Sequence, residues 1–154
     1  MAQEYSGLAI ADYFVKKCLE KEIPITNMGV LKMIYFAHGL AYPRLNRKLI
    51  KNPFYAWPWG PVEIKTYEKF KKYKDNPIKE ESKCCESELN DIQSDSDLVR
   101  FLNSLIPLAR INPLKLSEMS HVKGGPWDVT DIYNEIDNNV IETYFYGRYG
   151  TNRT

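Results

Sequence analysis

Two imidazoles, His38 and His121, are the general bases this sequence could offer, and Ser120 stands directly before the second. A serine nucleophile and its base must meet through space, so adjacency in the chain is no evidence for a triad. His38 falls in the run Leu31-Lys32-Met33-Ile34-Tyr35-Phe36-Ala37-His38, on the apolar stripe of a helix, where an imidazole is normally a hydrogen-bonded core group. Cys84 and Cys85 lie in an acidic stretch, far from either histidine and without a second cysteine pair, so zinc-ligand spacing is missing. Gly124-Gly125 is followed by Pro126, which lacks one of the backbone donors that a phosphate-cradling loop uses. Lys69, Lys71, Lys72 and Lys74 form a basic run, but Glu68 and Asp75 adjoin it, the pattern of a solvated helix face. These residues point to no catalytic centre, no cofactor and no metal, and the chain is not expected to be an enzyme.

The elements that must position these residues are mostly helical. Ser6 can cap a helix to about Glu20 with Ile10, Phe14 and Cys18 on one stripe. Thr26 caps a second helix, with Met28, Leu31, Ile34, Tyr35, His38, Ala41 and Tyr42 on one face, expected to stop near Pro43. Between Lys48 and Trp59, aromatic and aliphatic residues around Asn52-Pro53 suit a small β-hairpin, and Gly60-Pro61 reads as the start of the next helix. Residues 75–97 are charged, with seven acids against one lysine from 80 to 97, and are expected to form an acidic solvated loop. Helical spacing returns over Leu98–Ala109, Asn112-Pro113 opens a short helix through Met119, and Ile136, Val140, Ile141, Tyr144 and Phe145 mark a last one. The expectation is a mainly α, compact single-domain helical fold with one small β-hairpin around residues 48–59. The domain would occupy 5–147, with a frayed tail over 148–154.

Composition agrees with one folded unit. The chain has 154 residues, 44% hydrophobic and 27% charged, which is enough to bury a core without staples. Three cysteines without regular spacing argue against a disulfide framework, and the start of the chain lacks a secretory pattern, so a cytoplasmic location is expected. Apolar runs are too short for a membrane span. A net charge of only +1 argues against a dedicated nucleic-acid binder. The charge is uneven, however: residues 1–79 hold 14 Lys/Arg against 7 Asp/Glu, a net of +7, and residues 80–154 hold 7 against 13, a net of −6. The halves can attract one another, or a basic face can meet an acidic partner. Eleven Tyr, six Phe and three Trp are numerous enough that some rings should reach the surface, where such side chains anchor interfaces.

More specific are Pro24-Ile25-Thr26-Asn27, Ala56-Trp57-Pro58-Trp59-Gly60-Pro61-Val62, Leu116-Ser117-Glu118-Met119-Ser120-His121 and Gly125-Pro126-Trp127. In this order, together with Leu31–Gly39 before and Ile141–Phe145 after, they resemble the Panacea domain of SocA-like and phage-associated GepA-like proteins. The resemblance runs from about Ser6 to Tyr146 and implies an antitoxin, with a role in phage defence, whose partner is a cognate protein toxin bound directly. It leaves open an alternative, delivery of the toxin to the ClpXP protease, as one member of the family does. The matched residues Trp57, Gly60, Pro61, Val62, His121, Pro126 and Trp127 make sense as scaffold. The partner-reading surface is then expected at Tyr55, Trp59, Lys65, Lys69 and Lys72. The chain departs from the pattern with Ser120 where threonine is common and His38 where glutamine is common. The helix-turn-helix domain that some relatives carry is not expected within these 154 residues. A hydrolase or transferase using His121, and a nucleic-acid-binding regulator, are the competing readings.

Overall fold

The computed structural model describes residues 3–150. Helix α1 spans Gly7–Glu20, and the Ser6 hydroxyl accepts the Ala9 N–H at 3.1 Å. Helix α2 spans Asn27–Leu45, with the Thr26 hydroxyl accepting the Gly29 N–H at 3.1 Å. These caps satisfy amides that have no partner within the first turn. Every residue of α2 from Gly29 to Tyr42 is buried, so the helix has no solvent face over that length. A helix apolar on all sides must lie inside the fold. Accordingly, α2 is the central rod, packed against α1 and against most of the elements that follow it in the chain. Pro43 does not stop it: the proline lacks one N–H close to the helix end, and the chain continues to Leu45 before Asn46 closes it in the left-handed conformation (φ 53°).

The hairpin forms later in the chain than the sequence suggests. Strand β1 is Tyr55–Trp57 and strand β2 is Gly60–Val62, antiparallel, with Tyr55 opposite Val62 and Trp57 opposite Gly60. Gly60-Pro61-Val62 is thus an edge strand and not a helix start. Pro61 has no N–H to give, an edge tolerates that, and Gly60 takes φ 116°, which no helix allows. Helix α3, Ile64–Phe70, begins only after the buried Glu63, whose carboxylate accepts the amides of Lys65 (2.8 Å) and Thr66 (3.2 Å). The other edge of β1 is covered by residues 133–136, where the Ala56 N–H donates to the Asn134 carbonyl at 2.9 Å and the Ile136 N–H to the Phe54 carbonyl at 2.7 Å.

The acidic stretch is also more ordered than a solvated loop. It contains helix α4, Glu86–Ser94, with Ile92 buried, and Ile78 is buried ahead of it. Its polar groups are tied to α1. Ser82 donates to Asp12 from its amide (2.8 Å) and hydroxyl (2.5 Å), and Glu88 accepts the Ser6 N–H at 2.8 Å. Burial raises the Asp12 carboxyl above its ordinary value, partly offset by the two Ser82 hydrogen bonds. Helix α5, Ser96–Leu105, leads into a 3-10 turn, Ile106–Arg110, that contains Pro107. Helix α6 is Pro113–Ser120 and helix α7 is Asn138–Tyr149. Ile136 is buried, but in the extended segment before α7 and not within it. Of the expected frayed tail, Arg148 and Tyr149 belong to α7, and residues 151–154 lie outside the described residues.

His38 is a structural node. Its Nδ1 accepts the Ile50 N–H at 3.2 Å, so Nε2 carries the proton and donates to Asn138 Oδ1 at 2.7 Å. Asn138 in turn donates to the Tyr42 hydroxyl at 2.6 Å. Burial pushes the His38 pKa down to about 4, so the ring stays neutral. The node ties α2 to the chain before β1 and to the first turn of α7.

Candidate functional site

The hairpin turn, Pro58-Trp59, is held from behind by its backbone. Ser117 of α6 donates its hydroxyl to the Trp59 carbonyl, and the Trp127 indole N–H donates to the Trp57 carbonyl at 2.7 Å. His121 stacks on Trp127, with ring centroids 3.9 Å apart and planes at 12°. Trp57 is half-buried, edge-on to Tyr67 at 5.0 Å and 6.5 Å from Tyr133. This frame leaves the Trp59 indole 64% exposed and Tyr133 64% exposed. Tyr133 also sits at φ 72°, a strained conformation for a bulky residue, fixed by its N–H donating to the Ala56 carbonyl at 2.6 Å.

The two exposed rings flank a groove of about 480 Å³ between α2, the hairpin and the end of α3, lined also by Tyr67, Lys71 and Lys74. A second depression of about 280 Å³ shares Met28, Lys74 and Asp75 with it and runs on to the exposed Leu114. Lys32 of α2 also lines the groove while remaining 1% exposed. Its Nζ donates to the Pro61 carbonyl at 3.3 Å. Burial of the ammonium lowers its pKa to about 7. The backbone above it must be glycine: a Cβ on Gly60 would come within 2.6 Å of Lys32 Cε and 2.7 Å of Ser120 Oγ.

A charge held this deep costs the fold stability. Below its folded value near 7, Lys32 is protonated in both states and the full cost applies. Between about 7 and the ordinary lysine value, the unfolded chain holds a proton that the folded one has released, so stability climbs with pH. Lys32→Met is therefore expected to stabilise the chain by about 2 kcal/mol at pH 6, once the lost bond to Pro61 is allowed for. The advantage should shrink as pH rises from 7 towards 10, as denaturant melts of both proteins at each pH would record.

His121 and Ser120 share no hydrogen bond among the described residues. The Ser120 hydroxyl donates to the Ser117 carbonyl at 2.6 Å, and His121 Nε2 is buried without a hydrogen-bond partner. The imidazole pKa lies below its ordinary value, first through burial and then through the positive charge of Lys32. What the arrangement supplies is a rigid, ring-flanked concavity with ammonium groups at its base and rim.

A family model described as antitoxin SocA-like, Panacea domain, matches residues 30–128, from α2 to the residue after Trp127. The chain belongs to the Panacea family. It is 34% identical over 136 residues to the antitoxin SocA of Caulobacter vibrioides (strain NA1000 / CB15N), covering 82% of this chain and 71% of that protein. No solved structure matches. Gly60, Pro61, Val62 and Pro126 are buried, Trp57 and Trp127 are half-buried, and His121 lies against Trp127.

The expected partner-reading residues are more scattered. Trp59 lines the groove, and Tyr55 is half-buried in β1. Lys65, Lys69 and Lys72 are exposed but do not line the groove, and Lys72 lies 5.3 Å from the centre of its neighbour Tyr73's ring. The lysines that line it are Lys32, Lys71 and Lys74. Sequence reasoning missed Lys32 and Tyr133. A lone lysine in the otherwise apolar run Val30–Ala37 was the available signal for the first.

Proposed function

We propose that this chain is an antitoxin that neutralises a cognate protein toxin by binding it directly, inside the cell, with the groove between Trp59 and Tyr133 as the contact face. The observation that carries this reading is two large rings left 64% exposed on fixed backbone, Trp59 on the turn pinned by α6 and Trp127 and Tyr133 on the segment bonded to Ala56, in a chain of an antitoxin family. Aromatic side chains held rigid before binding lose little entropy on association and commonly dominate interface energetics. The scaffold role of Trp57, Gly60 and Trp127 complements this, because these residues fix the turn and the partner meets what the turn presents.

Co-expression with the product of the adjacent reading frame tests it. Growth arrested by that product alone should be restored by this chain, the two should co-purify, and the amount of toxin should stay constant. A harmless neighbouring product, or rescue without a complex, would overturn direct neutralisation. Depletion of the toxin would point to proteolytic handover instead.

A further inference from the structure

The structure also indicates what the groove binds, an inference that rests on the antitoxin reading. We infer that the groove captures an extended segment of the partner by one carboxylate, an Asp or Glu side chain seated over Lys32 between the Trp59 and Tyr133 rings. Three observations support this. Lys32 lines the groove although the residue is only 1% exposed, and the Pro61 carbonyl takes one of the three donors of its Nζ. Asn27 also lines the groove, is 6% exposed, and its Oδ1 is buried without a hydrogen-bond donor although its Nδ2 donates to the Tyr67 carbonyl at 3.2 Å. The charge of the lining is three lysines, Lys32, Lys71 and Lys74, against one acid, Asp75.

Each feature asks for a different part of one ligand. A buried ammonium with spare donors is completed by a carboxylate, and such charge-assisted bonds are the strong ones. An orphaned amide oxygen needs an N–H, which a peptide backbone supplies and a phosphate group does not. Exposed rings on either side suit apolar side chains flanking the acid. A nucleic acid's phosphates would satisfy the lysines but carry no N–H for the buried Asn27 amide oxygen, so the acidic peptide fits better.

Selection of a displayed library of random nonapeptides on the full chain tests this. Recovered sequences should carry an Asp or Glu beside apolar residues, and changing that acid to its amide in a synthetic peptide should weaken binding at least about tenfold. On Lys32→Met the acid and amide peptides should bind alike, and Lys32→Gln, which keeps a donor for Pro61, gives the same comparison if the first variant does not fold. Recovery of no peptide, equal binding of acid and amide to the natural chain, or an undiminished preference on the Lys32 variants would overturn the inference. Co-purification of the toxin with the natural chain, measured in parallel, separates the two readings: if the toxin still binds while the acid preference is absent, only the carboxylate assignment fails.

Discussion

Gly60→Ala should destabilise this protein by about 4 kcal/mol and lower its Tm by roughly 10 °C. Two costs combine at this one position. Gly60 holds φ 116°, a conformation that strains an alanine by about 1–3 kcal/mol. The new methyl would also lie 2.6 Å from Lys32 Cε and 2.7 Å from Ser120 Oγ, in a buried place where overpacking costs a further ~1–3 kcal/mol. Gly147 provides the contrast. It lies in α7, and beyond its chain neighbours and its own helix backbone no described atom comes within 4 Å of where its Cβ would stand, so Gly147→Ala should stabilise by about 0.5–1 kcal/mol. Thermal melts of the two variants beside the natural chain make the comparison, and a Gly60→Ala protein that melts with the natural one would contradict it.

Trp59→Ser combined with Tyr133→Asn should abolish toxin neutralisation while leaving the fold intact. Both rings are mostly exposed, so their removal should change stability by no more than about 0.5 kcal/mol. Asparagine is chosen because it tolerates the left-handed backbone that Tyr133 adopts. At an interface, truncation of a central aromatic anchor typically costs about 2 kcal/mol or more, so losing two should weaken the complex at least about a hundredfold. In cells the double variant should accumulate normally yet fail to restore growth. A variant that lost rescue and Tm together would show instead that the rings hold the hairpin.

Much of the framework could be read from the residues because it rests on local chemistry. Ser6, Thr26 and Asn112 cap helices where a short polar side chain precedes a periodic apolar run. The errors came where one local pattern serves two structures. Gly60-Pro61 is a good helix opening in isolation, but pairing with β1 makes it an edge strand, and Glu63 takes over the cap. Charge density outweighed Leu89 and Ile92 in residues 75–97, and the long-range bonds of Ser82 to Asp12 and of Ser6 to Glu88 are invisible to periodicity.

The site was less legible than the fold. Trp59 was among the residues expected to read a partner, and it lines the groove. Lys32 was not among them, because assigning one apolar face to α2 sends Lys32 to solvent, and only the packing of helices all around α2 buries it. The lysine stripe shifted for a related reason. Helix α3 ends at Phe70 and a 3-10 turn, Lys71–Tyr73, changes the period, so Lys71 and Lys74 border the groove in place of Lys65, Lys69 and Lys72. Tyr133 sits in a segment with no period, positioned by backbone pairing with Ala56 across 77 residues of chain.

Whether the groove between Trp59 and Tyr133 is the face that grips the toxin is tested most directly by calorimetric titration of the purified toxin into the natural chain and into the double variant, both confirmed folded by their melts. A Kd at least about a hundredfold weaker for the variant is the expected result. Equal affinities would place the interface elsewhere on the domain and contradict the proposed binding face.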